Sequence, residues 1–427
     1  MPKDMPTPQP PPIEPPLAQS ASLAARYDPF RDPVLSDPYP FFAQARCQAP
    51  VFYSPLIDHW VVSRYEDIAR ILMDHETFSA RNTLTPITPL CPAARQALED
   101  GGWRLKPALG NNDEPDHKRV RNLVRKTFLP AYVKAKEPRI RSLTEHAVAK
   151  LADRTQADLV ADLIADLPAR IILDMLGFAD DKVETLIKGG RNRVLFIWGQ
   201  PDAEEQTRLA HGMAQLFRFC ADLIDARMAA PEDDFTSDLI RGAQDGTDRF
   251  SRDELASVLF AFFTAGHETT ATLMANTVFQ LLRHRQAWNA VRADPTRIAG
   301  AVEEVLRYDS SVIAWRRIAN REAEVNGVAI PKDGQILLLL GSANRDPDMF
   351  EEPEAFDIAR KTAGRHLSFG KGIHTCLGNT LARAEVRILV ETLASRLPDM
   401  RLARDHRPTY LPSLAFHGIR HLPVTLR

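Results

Sequence analysis

Cysteine is scarce in this sequence. The 427 residues include four cysteines, Cys47, Cys91, Cys220 and Cys376, and no two of them form a CxxC pair. Positions this far apart argue against the disulfide framework of a small secreted protein and against a cysteine-rich zinc site. The sequence therefore predicts free thiols in a cytoplasmic, reducing environment.

Long apolar runs and an excess of charge are also missing. No stretch approaches the ~18 apolar residues of a membrane span, and the net charge is -2 although 26% of the residues are charged. A nearly neutral chain has no overall electrostatic attraction for nucleic acid or for a membrane surface. We expect neither a membrane anchor nor a nucleic-acid partner.

The first residues include few large apolar side chains. The stretch "MPKDMPTPQPPPIEPPLAQSAS" is rich in proline and has no continuous apolar segment of the kind a signal peptide needs. Proline-rich tails of this kind stay extended and unpacked. We predict a disordered leader over residues 1–25 and a folded region over residues 26–427.

The folded region reads as mainly α with a small β portion, in a single large domain. A β-hairpin is predicted around the turn Pro55–Asp58, and helical spacing dominates from residue 114 to 306. Ser251 and Glu254 are spaced as a capping box at the start of one long helix. Residues 79–112 show no firm period and read as a long loop, a candidate wall of a binding pocket.

One short motif carries chemistry. Phe369, Gly370, Gly372, Cys376 and Gly378 fit F-G-x-G-x-H-x-C-x-G without a gap. Glycines allow positive φ and a close approach of the backbone to a flat ligand, and a cysteine among backbone N–H donors at a helix start is favoured as the thiolate. A phosphate-binding loop is disfavoured, because the earlier glycine lies one residue too far away and no Ser or Thr follows the lysine.

This motif resembles the haem-ligand loop of the cytochrome P450 family, and the resemblance extends from about residue 28 to the end of the chain. It implies the cytochrome P450 fold, with haem b (iron protoporphyrin IX) as the cofactor. Cys376 would be the axial ligand of the haem iron. Phe369, Gly370 and His374 would line the same cofactor.

A second match lies in the middle of the long predicted helix. In "AGHETT", Ala265 and Thr269 are four residues apart and share one face. The resemblance implies that both face the haem, with Gly266 leaving room for O₂, the co-substrate. Thr269 would hydrogen-bond the oxygen and Glu268 would relay protons from water.

Two further features of the resemblance are structural. Glu304 and Arg307 form an E-x-x-R pair, which the family buries near the haem loop, whereas an exposed pair at this spacing would contribute little. Pro353, Phe356 and Arg360 match the segment that follows this pair in the family.

Haem propionates need cationic or hydrogen-bonding partners. The resemblance assigns this role to His117 and Arg121, which lie four residues apart, and to Arg317 in the following strand region. His366 opens the cysteine motif and His374 lies two residues before Cys376. Both histidines are predicted to join the set.

The resemblance implies a haem-thiolate monooxygenase that inserts one atom of O₂ into a small apolar organic substrate, by hydroxylation or O-dealkylation. Alternatives are a peroxygenase that uses H₂O₂ on the same fold and a non-catalytic haem-binding protein. The Glu268–Thr269 pair disfavours the peroxygenase.

Electrons are expected from a separate ferredoxin and an NAD(P)H reductase. A basic docking face for the acidic ferredoxin is predicted from five cations, Lys118, Arg119, Arg125, Lys126 and Lys371. A solvated helix surface explains these charges equally well.

The substrate itself is poorly specified. The walls of the substrate pocket are expected to come from five segments that are rich in apolar and aromatic side chains, residues 79–112, 192–206, 261–265, 312–316 and 414–416. Trp315 and Arg316 are candidates to orient an aromatic or acidic group.

Overall fold

The computed structural model describes residues 16–189, 192–246, 248–404 and 406–427. Helices dominate the first two thirds of this range. In chain order they are α1 Pro16–Arg26, α2 Tyr39–Gln48, α3 Tyr65–Met73, α4 Pro92–Asp100, α5 Asp116–Val124, α6 Pro130–Ala149, α7 Leu167–Leu176, α8 Asp180–Gly189, α9 Val194–Trp198, α10 Ala203–Ala229, α11 Phe235–Asp245 and α12 Arg252–Arg283. Later helices are α13 Arg285–Ala293, α14 Ile298–Tyr308, α15 Leu340–Ala343 and α16 Asn379–Arg396.

The strands are short and form three small sheets. They are β1 Val51–Ser54, β2 His59–Val62, β3 Phe78–Ser79, β4 Gln156–Asp158, β5 Trp315–Ala319, β6 Ala323–Val325, β7 Val328–Ile330, β8 Gln335–Leu338, β9 Arg401–Leu402 and β10 Pro423–Thr425. The largest sheet has the order β1-β2-β8-β5-β3, in which only β2 and β8 are parallel. The predicted hairpin and the mainly α fold class are confirmed.

Helix α12 runs through the centre of the helical core. Ser251 accepts a hydrogen bond from the Glu254 N–H and Glu254 bonds back to the Ser251 N–H, so the predicted capping box is present. The helix buries residues on every side, which is the pattern of a core helix rather than an amphipathic surface helix. It packs against α7, α10, α14 and α16, and this fixes the position of its middle turns.

The boundary predicted for the leader is wrong. Residues 1–15 lie outside the described residues, but a helix begins at Pro16 and ends at Arg26. Leu23 is fully buried and Tyr27 nearly so, in the apolar cluster that also contains Phe41 and Phe52. The alanines of this segment are strong helix formers, a signal that the proline-rich neighbourhood obscured.

The interval from 79 to 112 is not a continuous loop. Helix α4 lies within it and packs against α10. Its buried residues Ala94, Ala97 and Leu98 are spaced three and four apart, a short helical pattern that the surrounding Thr, Pro and Gly concealed. The Cys91 sulfur accepts a hydrogen bond from the Ala94 N–H at 3.4 Å and caps this helix.

Candidate active site

The cysteine motif forms a tight loop ahead of α16. Gly370 and Gly372 have φ values of +69° and +72°, and a Cβ on Gly372 would lie 2.7 Å from the Leu72 carbonyl oxygen. The Cys376 N–H donates to the Phe369 carbonyl at 2.8 Å, which closes the loop. Helix α16 begins at Asn379, three residues after the cysteine. Both glycines are therefore required by backbone geometry, as the sequence predicted.

The environment of the Cys376 sulfur is mixed. Cys376 is exposed as a residue, yet the protein atoms around its sulfur desolvate the thiolate and raise the pKa of the thiol, whereas the Gly378 N–H, the charges of Arg121 and Arg383, and the Asn379 N–H lower it. The donors therefore offset burial without overcoming it. A coordinated metal ion would complete the ionisation, because a thiol bound to a metal is deprotonated.

Two histidines and two arginines gather beside this loop. The rings of His117 and His374 lie 4.4 Å apart, centre to centre. Burial and then the charges of Arg317, His117 and Arg121 lower the pKa of His374 to about 3. Burial, followed by the charge of Arg121, also lowers the pKa of His117. Helix α5, strand β5 and the cysteine loop thus bring four of the predicted propionate partners together.

These side chains fit an anionic planar group such as haem. Within the described chain, the buried ring nitrogens of His117 and His374 have no hydrogen-bond partner of standard geometry. Arg121 donates to the Thr375 carbonyl at 2.9 Å, and the Arg317 guanidinium donates to the Arg316 carbonyl at 2.8 Å. A carboxylate at this position would satisfy donors that are otherwise buried at considerable cost.

His366 lies elsewhere. Its Nδ1 accepts a hydrogen bond from the Ser368 N–H at 3.2 Å, and its Nε2 lies 3.4 Å from a Glu303 carboxylate oxygen. Glu303 also pairs with Arg383. The Nε2 atom is buried without a hydrogen bond of standard geometry in the described residues, so the propionate role of His366 stays a prediction. Its position also ties the cysteine loop to α14.

The predicted oxygen-binding face lies in the middle of α12. Ala265 and Thr269 are one turn apart, and the Thr269 hydroxyl donates to the Ala265 carbonyl oxygen at 2.5 Å. Ala265 remains exposed although it lies on a core helix. Gly266 points elsewhere, since a Cβ on it would contact Ile172 of α7 at 3.4 Å. A side-chain methyl would fit there in ordinary van der Waals contact, so the helix packing does not require this glycine, and its role of making room for O₂ stays a prediction.

Glu268 reaches a different part of the fold. Its carboxylate accepts a hydrogen bond from the Val194 N–H at 2.8 Å, at the first residue of α9. Burial raises its pKa to about 7, although the Val194 N–H and the Arg193 charge oppose this rise. A carboxyl group with this pKa exchanges protons readily near neutral pH.

The Glu304–Arg307 pair is fully buried. Arg307 donates to both carboxylate oxygens of Glu304, at 2.7 and 2.8 Å, and both side chains are 0% exposed. Arg307 also donates to the Pro353 carbonyl, and Arg360 donates to Glu304 at 3.2 Å. The structural role predicted for this pair is confirmed, and the alternative of an exposed helical pair is excluded.

The predicted wall segments meet one another. The Trp198 ring lies 5.0 Å from Trp315 and 6.3 Å from Phe416. The Ile87 N–H donates to the Ile197 carbonyl at 2.9 Å. Four segments that are distant in sequence therefore meet at an aromatic cluster. The sequence predicted these segments individually and did not predict their contacts with one another.

The structure changes the set of cations that can form the predicted docking face. Lys118, Arg125 and Lys371 are exposed, whereas the side chain of Lys126 lies outside the described residues. Arg119 forms an ion pair with Glu254 and lies over an aromatic ring. It therefore links α5 to α12, because its guanidinium is already occupied by a carboxylate.

Sequence reasoning missed several residues of the site. Arg193 lies beside Glu268, and Arg383 lies over the Phe369 ring at 4.5 Å. Asp113 accepts hydrogen bonds from Ser79 and from the Ala80 N–H. Spacing carries no signal for these residues, because each acts through contacts between distant segments.

Comparisons with known proteins agree with this geometry. The family model described as "Cytochrome P450" matches residues 191–397. The protein named "Cytochrome P450 107B1" from Saccharopolyspora erythraea is 35% identical over 86% of this chain and 89% of its own length. No helix in the described part of the chain is long and apolar enough to cross a membrane.

Solved structures show the same fold. The structure titled "cytochrome P450 CREJ in complex with (4-ethylphenyl) dihydrogen phosphate" is 38% identical, with a TM-score of 0.90, and covers 95% of this chain and 100% of that one. An intact type IV self-sufficient cytochrome P450 monooxygenase is 36% identical, with a TM-score of 0.92, and the match covers 95% of this chain and 53% of that chain. The sequence likeness and the shared fold together show that the chain belongs to the cytochrome P450 family and is a haem-dependent monooxygenase.

Proposed function

We propose that this enzyme is a cytoplasmic haem-thiolate monooxygenase that uses O₂ to oxidise a small, largely apolar organic molecule by hydroxylation or O-dealkylation. The observation that carries this proposal is the closed Cys376 loop with the His117–His374 cluster beside it. The aromatic cluster of Trp198, Trp315 and Phe416 supports a substrate with apolar surface.

Cys376 is proposed as the ligand of the iron of haem b, with His117, Arg121, Arg317 and His374 as partners of the propionates. When bound, the haem would supply the redox chemistry that activates O₂, and the thiolate would favour O–O cleavage. Phe369 and Gly370 hold the loop, because the Phe369 carbonyl accepts the Cys376 N–H and Gly370 makes the turn at positive φ.

Thr269 is proposed to position a proton in the active site. Its hydroxyl hydrogen is donated to the Ala265 carbonyl, so the oxygen lone pairs are available to accept a hydrogen bond from water. Rotation of the hydroxyl would release Ala265 and let Thr269 donate instead. The residue can thus hold a water molecule and then pass on a proton.

We expect Thr269→Ala to retain substrate binding but to lose coupling between electron consumption and product. Product formed per NAD(P)H should fall by about tenfold or more, because a positioned proton donor contributes on the order of 10²–10⁴ in rate, and H₂O₂ should account for the lost electrons. Stoichiometry of product, peroxide and NAD(P)H measures this. Thr269→Ser keeps the hydroxyl and should restore coupling, whereas tight coupling in Thr269→Ala would contradict the role.

Glu268 is proposed as the group that transfers protons towards Thr269. It can alternate between donor and acceptor because its pKa is about 7. Arg193 is the charged side chain that faces it and stabilises the carboxylate. The hydrogen bond to the Val194 N–H holds the carboxyl group at α9, so proton delivery requires this contact to open or to be bridged by water.

The raised pKa of Glu268 predicts a pH dependence. Below about pH 7 the carboxyl group is protonated and can donate, so coupled turnover should decline as the pH rises through this value. Glu268→Gln cannot titrate, and it should turn over more slowly with this decline removed. Product formation at saturating reductase across the neutral and mildly alkaline range measures both effects. An unchanged pH profile in Glu268→Gln would count against the relay.

Electrons are proposed to come from a separate ferredoxin that is reduced by an NAD(P)H reductase. Lys118, Arg125 and Lys371 are exposed. Lys371 belongs to the cysteine motif, and Lys118 lies on α5, whose Arg121 donates to the Thr375 carbonyl in that motif. Met73 is 53% exposed, and its sulfur would lie 3.4 Å from a Cβ on Gly372. An apolar centre with a basic rim suits an acidic partner.

One experiment tests the proposed function directly. The haem-loaded protein is supplied with NADPH or NADH, a ferredoxin and its reductase, and candidate substrates are added singly. Substrate-dependent NAD(P)H consumption with oxygenated product supports the monooxygenase. Product formation from H₂O₂ alone would favour the peroxygenase, and haem binding without turnover under either condition would favour a binding protein.

A further inference from the structure

Arg316 is buried in the wall of the aromatic cluster. The residue is 2% exposed, and its guanidinium lies 4.2 Å from the centre of the Trp198 ring. One terminal nitrogen donates to the Thr83 and Thr85 carbonyls, at 2.9 and 2.5 Å. Its Nε is buried and has no hydrogen-bond partner in the described chain. The guanidinium is thus held in place with part of its donor capacity unused.

No acidic side chain accompanies this cation. Burial lowers the pKa of Arg316 to about 9, and none of the described carboxylates raises it again. The remaining buried arginines, Arg46, Arg193, Arg307, Arg317 and Arg345, each have a carboxylate close enough to pair with them or to raise their pKa. A buried positive charge without a counter-ion is unfavourable, and Arg316 therefore stands apart from them.

The haem propionates do not account for Arg316. Adjacent residues on a strand point to opposite faces, and Arg317, the next residue on β5, lies in the His117–His374 cluster. Arg316 is paired in register with Leu337 and lies on the face that packs against Trp198. A second anion is needed on this side of the strand.

Neighbouring groups suit such an anion. Burial, together with the nearby Arg316 charge, lowers the pKa of His59 to about 4, although the contact with the Ile57 carbonyl opposes this fall. Its Nε2 and the Ser54 hydroxyl oxygen are both buried without hydrogen-bond partners in the described residues. Ser54 and His59 are directly paired between β1 and β2. A hydroxyl group and an imidazole therefore lie on the same sheet as the unpaired guanidinium.

We propose that Arg316 binds an anionic group of the substrate, a carboxylate or a phosphate monoester, at the wall formed by Thr83–Thr85 and Trp198. The planar guanidinium suits bidentate recognition of either anion. The apolar remainder of the substrate would extend along the aromatic cluster. This inference rests on the proposed function, since it names the substrate class of the same site.

A purely structural role is the competing explanation. The Thr83 and Thr85 carbonyls and the Trp198 ring connect two wall segments through Arg316. Such a clamp would affect charged and neutral ligands alike. Anion recognition, in contrast, predicts a difference between an acid and its neutral counterpart, and this difference is what separates the two explanations.

The test is a titration of haem-loaded wild type with matched ligands, followed by the change in haem spin state. The anions are octanoate, dodecanoate, hexadecanoate, p-propylbenzoate and p-propylphenyl phosphate. The neutral counterparts are the methyl esters and p-propylphenol. At least one anion should bind about tenfold more tightly than its counterpart. Preference for carboxylates or for the phosphate distinguishes the two kinds of anion, and the absence of any anion preference would overturn the proposal.

Substitutions of Arg316 test whether this residue causes the preference for anions. Arg316→Gln should weaken binding of the preferred anion on the order of 30-fold, as loss of a charged hydrogen-bonding partner does, while its neutral counterpart keeps its affinity. Arg316→Lys keeps the charge, and its affinity for the preferred anion should lie between those of the wild type and Arg316→Gln. Arg241→Gln removes an exposed charge on α11, outside the segments that form the site, and should leave affinity unchanged. Equal weakening of acid and ester in Arg316→Gln would assign Arg316 to the clamp instead.

The carbon-monoxide spectrum of each preparation keeps the two proposals separate. A thiolate-type band in a protein that shows no anion preference would leave the monooxygenase intact and remove the anion site. A missing thiolate-type band in the wild type would instead contradict the proposed function itself.

Discussion

Replacing Cys376 with histidine should abolish monooxygenase turnover and remove the strongly red-shifted absorption band of the reduced, carbon-monoxide-treated protein. The imidazole would offer a nitrogen ligand in place of sulfur, and the thiolate's electron donation, which favours O–O cleavage, would be lost. We expect product formation to fall by about 10³-fold or more, equivalent to roughly 4 kcal/mol in the barrier. The reduced carbon-monoxide spectrum and turnover with substrate measure these effects.

A matched control uses a cysteine that lies far from the motif in sequence. Cys47 is exposed on α2, so Cys47→Ser removes a thiol that no part of the proposed mechanism uses. Its spectrum and turnover should match the wild type. Retention of the red-shifted band in Cys376→His would remove Cys376 as the iron ligand, because no other residue was assigned that role.

Replacing Glu304 with alanine should cause the largest loss of stability among single substitutions considered for the fold. The change leaves the guanidinium of Arg307 buried without its carboxylate, and it removes the acceptor for Arg360 and the Asp357 N–H. Breaking a buried pair in this way costs about 3–5 kcal/mol. Thermal unfolding and the amount of haem retained after purification measure the effect, since α14 is tied to the cysteine loop through Glu303 and His366.

Two comparisons make this result interpretable. Asp238→Ala breaks an exposed i,i+3 pair with Arg241 on α11 and should cost only a few tenths of a kcal/mol. The double variant Glu304→Ala/Arg307→Leu should be more stable than Glu304→Ala alone, because it removes the stranded charge. Equal stability of Glu304→Ala and Asp238→Ala would mean that burial of the pair contributes little.

Sequence patterns correctly predicted the structural features that form between residues close together in the chain. The hairpin around Pro55–Asp58, the capping box of α12 and the positive φ at Gly370 and Gly372 follow from turn chemistry and from helix termini. The contact between Ala265 and Thr269 follows from helical periodicity alone. These interactions span only a few residues, so their geometry depends on residue types at short, fixed spacing, which the sequence shows directly.

Predictions from sequence were less accurate where a short helical pattern lay among residues typical of loops. The alanines of α1 and α4 lie among prolines and threonines, and both helices were read as irregular. Burial of Leu23 and the packing of α4 against α10 show that tertiary contacts stabilise them. Short helices are marginal by themselves, so their formation depends on partners that a local reading does not contain.

Residue types at fixed spacing were enough to identify the family, the cysteine loop and most of the groups that gather around it. Only the tertiary structure decided which way each charged side chain turned. It paired His366 with Glu303 and Arg119 with Glu254, directed Glu268 to α9, and left Arg316 buried without an acid. Burial and charge pairing arise here between segments tens to more than a hundred residues apart, and their energies depend on distances that sequence spacing does not encode.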